Sequence, residues 1–292
     1  MYKVIICVFA CATVPKYKDQ ILKIKETWYK RALEKNMLVL FFLGEEPVPD
    51  MVGDEYVYLK GVANDYMSAG SKQNLGIKYI VERSNEYHYD YIHVCGSDTF
   101  VWIDHLDTYC KHIREIAPPN ESIGGSEAVA NASNIGETTK ESRMSFENIA
   151  IGGSGDYRMI DPGVQTYFMS GGPGFLLSNT CSQMLYPYLD DMIDMWIEKC
   201  KEIQCEWLIV ACDVGISYYL QTITQTKIIQ CNEQFVHFGC GTIPYYFDDL
   251  VRDICSQPNG VGEICCAMVA CHPVTLSEFD RLHDLVHVQE SI

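Results

Sequence analysis

Residues Tyr91–Val101 read YIHVCGSDTFV, and this stretch decides the fold. Tyr91 to Cys95 is a short apolar run rich in β-branched and aromatic residues, the composition of a strand covered on both faces in a mainly parallel sheet. It stops at Gly96-Ser97-Asp98, so a carboxylate stands where a buried strand surfaces. In open α/β sheets ligands gather at the carboxyl ends of strands, and an Asp there suits a hard cation carrying a diphosphate. The alternative is that Asp98 only caps the turn into a helix over Ile103–Ile113, where the WIDHLDTYCKHI spacing is helical.

Upstream, Lys3–Ala12 reads as a first strand, ending in Cys11-Ala12-Thr13. An amphipathic helix is expected over Lys16–Asn36, with Ile21, Ile24, Trp28, Ala32 and the neighbouring Leu33 on its apolar side. Met37–Leu43 and Glu55–Leu59 follow as strands, and Ser71–Ser84 as a helix carrying Lys72 in its first turn. Strands alternating with helices point to a mainly parallel or mixed sheet flanked by helices.

Downstream, Pro118–Gly163 is rich in Gly, Ser, Asn and Glu and reads as loops and short edge strands lying over the site. Val164–Ser178 reads as a strand broken by Gly171-Gly172-Pro173-Gly174, glycines that permit close backbone approach to a ligand. That run is not a GxGxxG fingerprint, so a Rossmann cofactor site has little support. Helices are expected over Thr180–Cys200, Asp213–Leu220 and Ser277–Val286, and a strand over Cys266–His272.

With 292 residues, 48% hydrophobic and 21% charged, the chain suffices for one large globular domain. A net charge of −17 excludes a non-specific phosphate-backbone binder, so no nucleic-acid partner is expected. The apolar run Val4–Ala12 is too short to span a bilayer and lacks a signal-peptide cleavage site, and no membrane span is expected elsewhere. Most of the fourteen cysteines, among them Cys7, Cys11, Cys95, Cys181 and Cys212, sit in apolar surroundings as buried thiols would. Only Cys240, Cys255, Cys265, Cys266 and Cys271 are dense enough for bridges or a metal, and they contain no CxxC pair. Asn120 and Asn131 open glycosylation sequons, which matter only on the secretory route.

Six motifs together resemble the fringe and core-1 β1,3-galactosyltransferase family of inverting GT-A glycosyltransferases. VIICVFACAT with IKETWYKR resembles the family's first strand and helix, Lys72 its lysine before the central strand, and SDTFV its acidic DDDTYV motif. SGGPGFLLS resembles SGGAGYVLS, Cys212-Asp213-Val214 resembles EDV, and CCAMVACHPVTLSEFDRLHDLV the family's carboxyl-terminal segment. The similarity runs from about residue 3 to about residue 288. It implies a single GT-A catalytic domain over residues 1–292, beginning at its first strand without the family's membrane anchor and stem. That start fits the cytoplasm, with the Golgi or ER lumen as the alternative.

The resemblance further implies a hexose, galactose or a relative, transferred from a UDP-sugar to a sugar hydroxyl on a glycan or glycoprotein, β1,3-linked. Asp213 would be the base that deprotonates the acceptor, its proton affinity raised if Val210, Ala211 and Val214 bury it; its alternative role is a helix cap. Asp98 and His272 would hold Mn²⁺, with His237 a weaker candidate. Thr13, Lys72, Gly171 and Gly172 would face the donor, Lys72 as a point charge on the diphosphate. Without the family match His272 would read as a structural histidine before Pro273, and Lys72 as a solvated helix residue. Two departures stand out. Gly96 and Ser97 replace two family carboxylates, and Cys212 replaces the acidic residue before Asp213. Ser97 could add a hydroxyl or hold a water, though not a charge. A catalytically silent sugar-binding or scaffold protein is therefore the rival reading, with another nucleotide-binding α/β enzyme a third.

Overall fold

A computed structural model of the chain describes residues 3–116, 148–153, 157–161, 164–232, 234–237 and 268–289. Its elements follow in chain order: β1 (Val4–Phe9), α1 (Pro15–Glu26), α2 (Trp28–Glu34), β2 (Leu38–Leu43), β3 (Tyr56–Tyr58), α3 (Ala69–Glu82) and α4 (Ser84–Tyr87). Then come β4 (Tyr91–Gly96), β5 (Phe100–Val101), α5 (Ile103–Ile116), β6 (Ile149–Gly152), β7 (Tyr157–Asp161), β8 (Val164–Tyr167) and β9 (Phe175–Ser178). The remainder is α6 (Asn179–Leu185), α7 (Met192–Glu202), α8 (Cys212–Thr222), β10 (Lys227–Gln230), β11 (Phe235–His237), β12 (Ala270–His272) and α9 (Leu276–Gln289).

Seven strands form a mixed sheet in the order β10-β6-β9-β4-β1-β2-β3. All its neighbours run parallel except β9, which is antiparallel to both β4 and β6. Strand alternation decides which face each side chain serves. Val4, Ile6 and Val8 of β1 enter the core under α1, α2, α5 and α9, with Ile24, Trp28, Leu106 and Phe279. Ile5 and Cys7 enter the opposite core under α3, α6, α7 and α8, with Ile77, Leu185, Trp196 and Val214. Phe41 and Phe42 divide likewise, and each is fully buried, contributing about 1.5–3 kcal/mol relative to exposure. The sheet is covered on both faces, as the unbroken apolar runs of its strands require. Smaller sheets of β11-β12-β5 and β7-β8 attach to it. Among the described residues no helix is long and apolar enough to cross a membrane.

Four expectations about elements are corrected. The helix over Lys16–Asn36 is two helices, because the Thr27 hydroxyl bonds back to the Lys23 carbonyl at 2.8 Å and its backbone leaves the helical region, at φ −104° and ψ −97°. The break turns Trp28 inward, and Leu33, expected on the apolar side, is exposed. Val164–Ser178 is not one interrupted strand, since β8 pairs with β7 while β9 enters the central sheet. Thr180–Cys200 divides at Pro187, which cannot donate a helical hydrogen bond. Within Pro118–Gly163, expected as loops and edge strands, β6 lies between β9 and β10 in the central sheet with all four residues buried. Asn120, Asn131, Cys240, Cys255, Cys265 and Cys266 lie outside the described residues.

Candidate functional site

The parallel strands β1 and β4 end side by side, with Phe9 opposite Gly96. Because β9 runs the other way, the Gly171-Gly172 turn before it arrives at this same edge. The small sheet brings the carboxyl end of the chain there as well. β12 pairs antiparallel with β5, Cys271 opposite Phe100, so His272 reaches the turn that carries Asp98.

Asp98 and His272 meet directly, Oδ1 to Nδ1, at 3.1 Å. Gly96 makes room for this turn, since a Cβ there would stand 3.0 Å from the Asp98 carboxylate. Burial pushes the Asp98 carboxyl up, but His272, reinforced by the Lys16 ammonium, outweighs it and holds the group below its ordinary value. Val274 donates its N–H to the Asp98 carbonyl at 2.9 Å, which fixes the segment after His272 against the same turn. The backbone of His237 pairs in register with His272 across β11 and β12.

Gly172 sits against the imidazole so closely that a Cβ would lie 2.2 Å from His272 Cδ2. Its carbonyl accepts from the Thr99 hydroxyl at 2.7 Å. Gly171 donates its N–H to Asp213 Oδ2 at 3.0 Å, while Asp213 Oδ1 accepts from the Val214 N–H at 2.9 Å. Asp213 is therefore not the N-cap, a place taken by Ala211. It sits in the first turn of α8 and ties that turn to the glycines. The apolar enclosure expected around it is one-sided, because Val214 is buried whereas Val210 is 46% exposed.

Lys72 departs furthest from expectation. Neither a solvated helix residue nor an open point charge, it is fully buried, with Nζ 3.1 Å from Cys11 Sγ and 3.0 Å from the Asp65 carbonyl. The Cys11 thiol donates to that same carbonyl at 2.8 Å. Lys72 thus clamps the Asp65 loop onto the end of β1, and its charge lies behind the rim rather than on it. Thr13, at that rim, is exposed and donates to the Asn64 carbonyl at 3.2 Å.

The altered acidic positions have other duties. Ser97 is buried and gives its hydroxyl proton to Gln20 of α1 at 2.9 Å, so that proton is committed to the helix. Burial pushes the Cys212 thiol up to about 12, and Sγ lies 3.7 Å from Gln73 Oε1. Sequence reasoning passed over Tyr66 and Met67, which stand 63% and 67% exposed at this edge. Their only signal was a pair of large apolar residues within an otherwise polar segment.

Among the described residues no group of three or more His, Cys, Asp or Glu side chains is placed to hold a metal. Asp98 Oδ1 and His272 Nδ1, 3.1 Å apart, are the two described donors that could share a cation. A cation there would take its remaining ligands from a bound molecule and water.

No family model matches this chain, and neither does any curated protein sequence.

Proposed function

We propose that the protein is an inverting GT-A-type glycosyltransferase that moves a hexose from a UDP-sugar to a sugar hydroxyl. The observation that carries this reading is the convergence of Asp98 with His272, and of Asp213 with the adjoining glycine turn, at one edge of the sheet. Two carboxylates of unlike partnership stand on either side of Gly171-Gly172. Asp98 is bound to a histidine, the pairing that would hold Mn²⁺. Asp213 is held by two backbone N–H groups, the arrangement of an oriented base.

In this mechanism Asp213 takes the proton of the acceptor hydroxyl as its oxygen attacks the anomeric carbon from the face opposite the leaving group. The sugar–phosphate bond breaks on the Asp98 side, with inversion. The cation would supply a charge sink for the diphosphate. The buried Lys72 ammonium adds positive potential from behind the Cys11–Thr13 turn. The reading places the protein in the cytoplasm, where buried thiols such as Cys7, Cys95, Cys181 and Cys271 would stay reduced.

The silent sugar-binding reading is favoured by one observation: Gly96, Ser97 and Cys212 provide no charge where the resembling family has carboxylates. A panel of nucleotide sugars assayed for hydrolysis and transfer, with and without Mn²⁺, separates the two. Turnover of one UDP-sugar is expected. Glycan binding with no turnover of any donor would leave the silent reading.

A further inference from the structure

We infer that Tyr66 is the stacking platform for the acceptor sugar, a pyranose ring laid against its exposed face beside Asp213. This rests on the transferase reading and specifies how its second substrate is recognised.

The loop that carries Tyr66 is built to hold one shape. The Asp65 carbonyl before it accepts from both the Cys11 thiol and the Lys72 ammonium. The Asp65 carboxylate accepts the Ser68 N–H at 2.8 Å, the Ser68 hydroxyl bonds the Ala63 carbonyl at 2.6 Å, and Ala69 donates to the Tyr66 carbonyl at 3.1 Å. Gly70 then seats the start of α3 on Cys212, where a Cβ would lie 2.9 Å from Cys212 Cβ. The backbone on both sides of Tyr66 is thus tied to the end of β1 and to the start of α8. Yet the ring, with Met67 beside it, remains largely in water. Fixed anchors under an exposed aromatic side chain are the arrangement of a preformed binding surface.

Its position selects the ligand. The Asp65 carbonyl ties the loop to Cys11, and Gly70 seats its far end on Cys212, the residue before Asp213, so Tyr66 stands on the loop that joins the end of β1 to the Asp213 turn. The sugar whose hydroxyl Asp213 deprotonates must lie against Asp213, at the end of this loop. A pyranose has a face of C–H groups that packs on an aromatic ring while its edge hydroxyls reach carboxylates, which is the chemistry Tyr66 and Asp213 offer together.

The test uses the full chain with methyl glycosides of the common hexoses and N-acetylhexosamines as probes, and UDP as the control. The Tyr66→Trp variant should show an emission change on adding a glycoside that wild type lacks. Tyr66→Ala should weaken glycoside affinity and raise the acceptor KM by on the order of tenfold, with UDP affinity unchanged, and Tyr66→Phe should restore both. The inference is overturned if Tyr66→Ala weakens UDP in proportion, if it leaves glycoside affinity unchanged, or if no glycoside moves the emission. Glycoside binding that depends on Tyr66 in a protein that turns over no nucleotide sugar would sink the transferase reading and keep the sugar platform. Turnover with an acceptor KM indifferent to Tyr66 would do the reverse.

Discussion

His272 Nδ1 lies 3.1 Å from Asp98 Oδ1, although His272 ends β12 and Asp98 sits far upstream in the turn between β4 and β5. That contact makes a two-donor edge, too few ligands to hold a cation alone. Metal and UDP should therefore bind cooperatively and neither strongly by itself. Calorimetry of Mn²⁺ with and without UDP should show the coupling in wild type and its loss in Asp98→Ala. Tight UDP binding that ignores both Mn²⁺ and Asp98 would remove the metal from the mechanism.

Asp213→Asn should lower transfer by on the order of a hundredfold or more, while UDP affinity stays near wild type. The amide oxygen can still accept the Gly171 N–H, so the glycine turn should keep its place. Wild-type turnover in this variant would exclude Asp213 as the base.

Lys72→Met separates charge from packing. Replacing a buried ammonium that has no described carboxylate on Nζ by an apolar chain of similar length removes the cost of desolvating a charge together with its bonds to Cys11 and the Asp65 carbonyl. The melting temperature should hold or rise while UDP affinity falls several-fold. A variant that melts early with UDP affinity intact would make Lys72 purely structural.

Gly172→Ala and Gly174→Ala should fail differently. A methyl at Gly172 displaces the His272 ring, so the coupling between Mn²⁺ and UDP should vanish in a protein that still folds. Gly174 holds φ at +85°, and a Cβ there would lie 2.5 Å from the Val94 carbonyl, so its substitution should cost stability by about 1–3 kcal/mol. Thermal melts combined with calorimetry distinguish them.

Away from the site, Asp104 accepts Arg31 Nε and Nη2, each at 2.8 Å, and also pairs with Lys35. Burial pushes its carboxyl up, and the two cations outweigh that and hold it below its ordinary value. A depressed carboxylate stabilises the fold above its unfolded pKa of about 3.9 and loses that contribution as pH falls through the lower folded value. Wild type should exceed Asp104→Asn by about 1 kcal/mol near neutrality, a modest figure because water screens the exposed part of the pair. The gap should close in acid. A gap that is the same at both ends of the range would refute the assignment.

What the sequence determined by itself was local and periodic. The alternation of Val4, Ile6 and Val8 with Ile5 and Cys7, and the unbroken run Tyr91–Cys95 ending at Asp98, specified strands covered on both faces, and the helix over Asp213–Leu220 followed the same logic. A continuous apolar run reports burial on every side without reference to distant partners, so these features were legible from composition alone. The tertiary structure decided everything that depends on strand order. β9 enters antiparallel between β4 and β6, and that direction puts Gly171 beside Asp213 and Gly172 under His272. Lys72 is buried because Cys11 and Asp65, from other segments, close over it, and the Ser97 hydroxyl is committed to Gln20 of α1. The break at Thr27 comes from a hydroxyl returning to a carbonyl four residues back, an alternative that helical spacing does not exclude. Tyr66 looks unremarkable in its polar segment because the site it borders exists only once the ends of β1, β4 and α8 have been brought together.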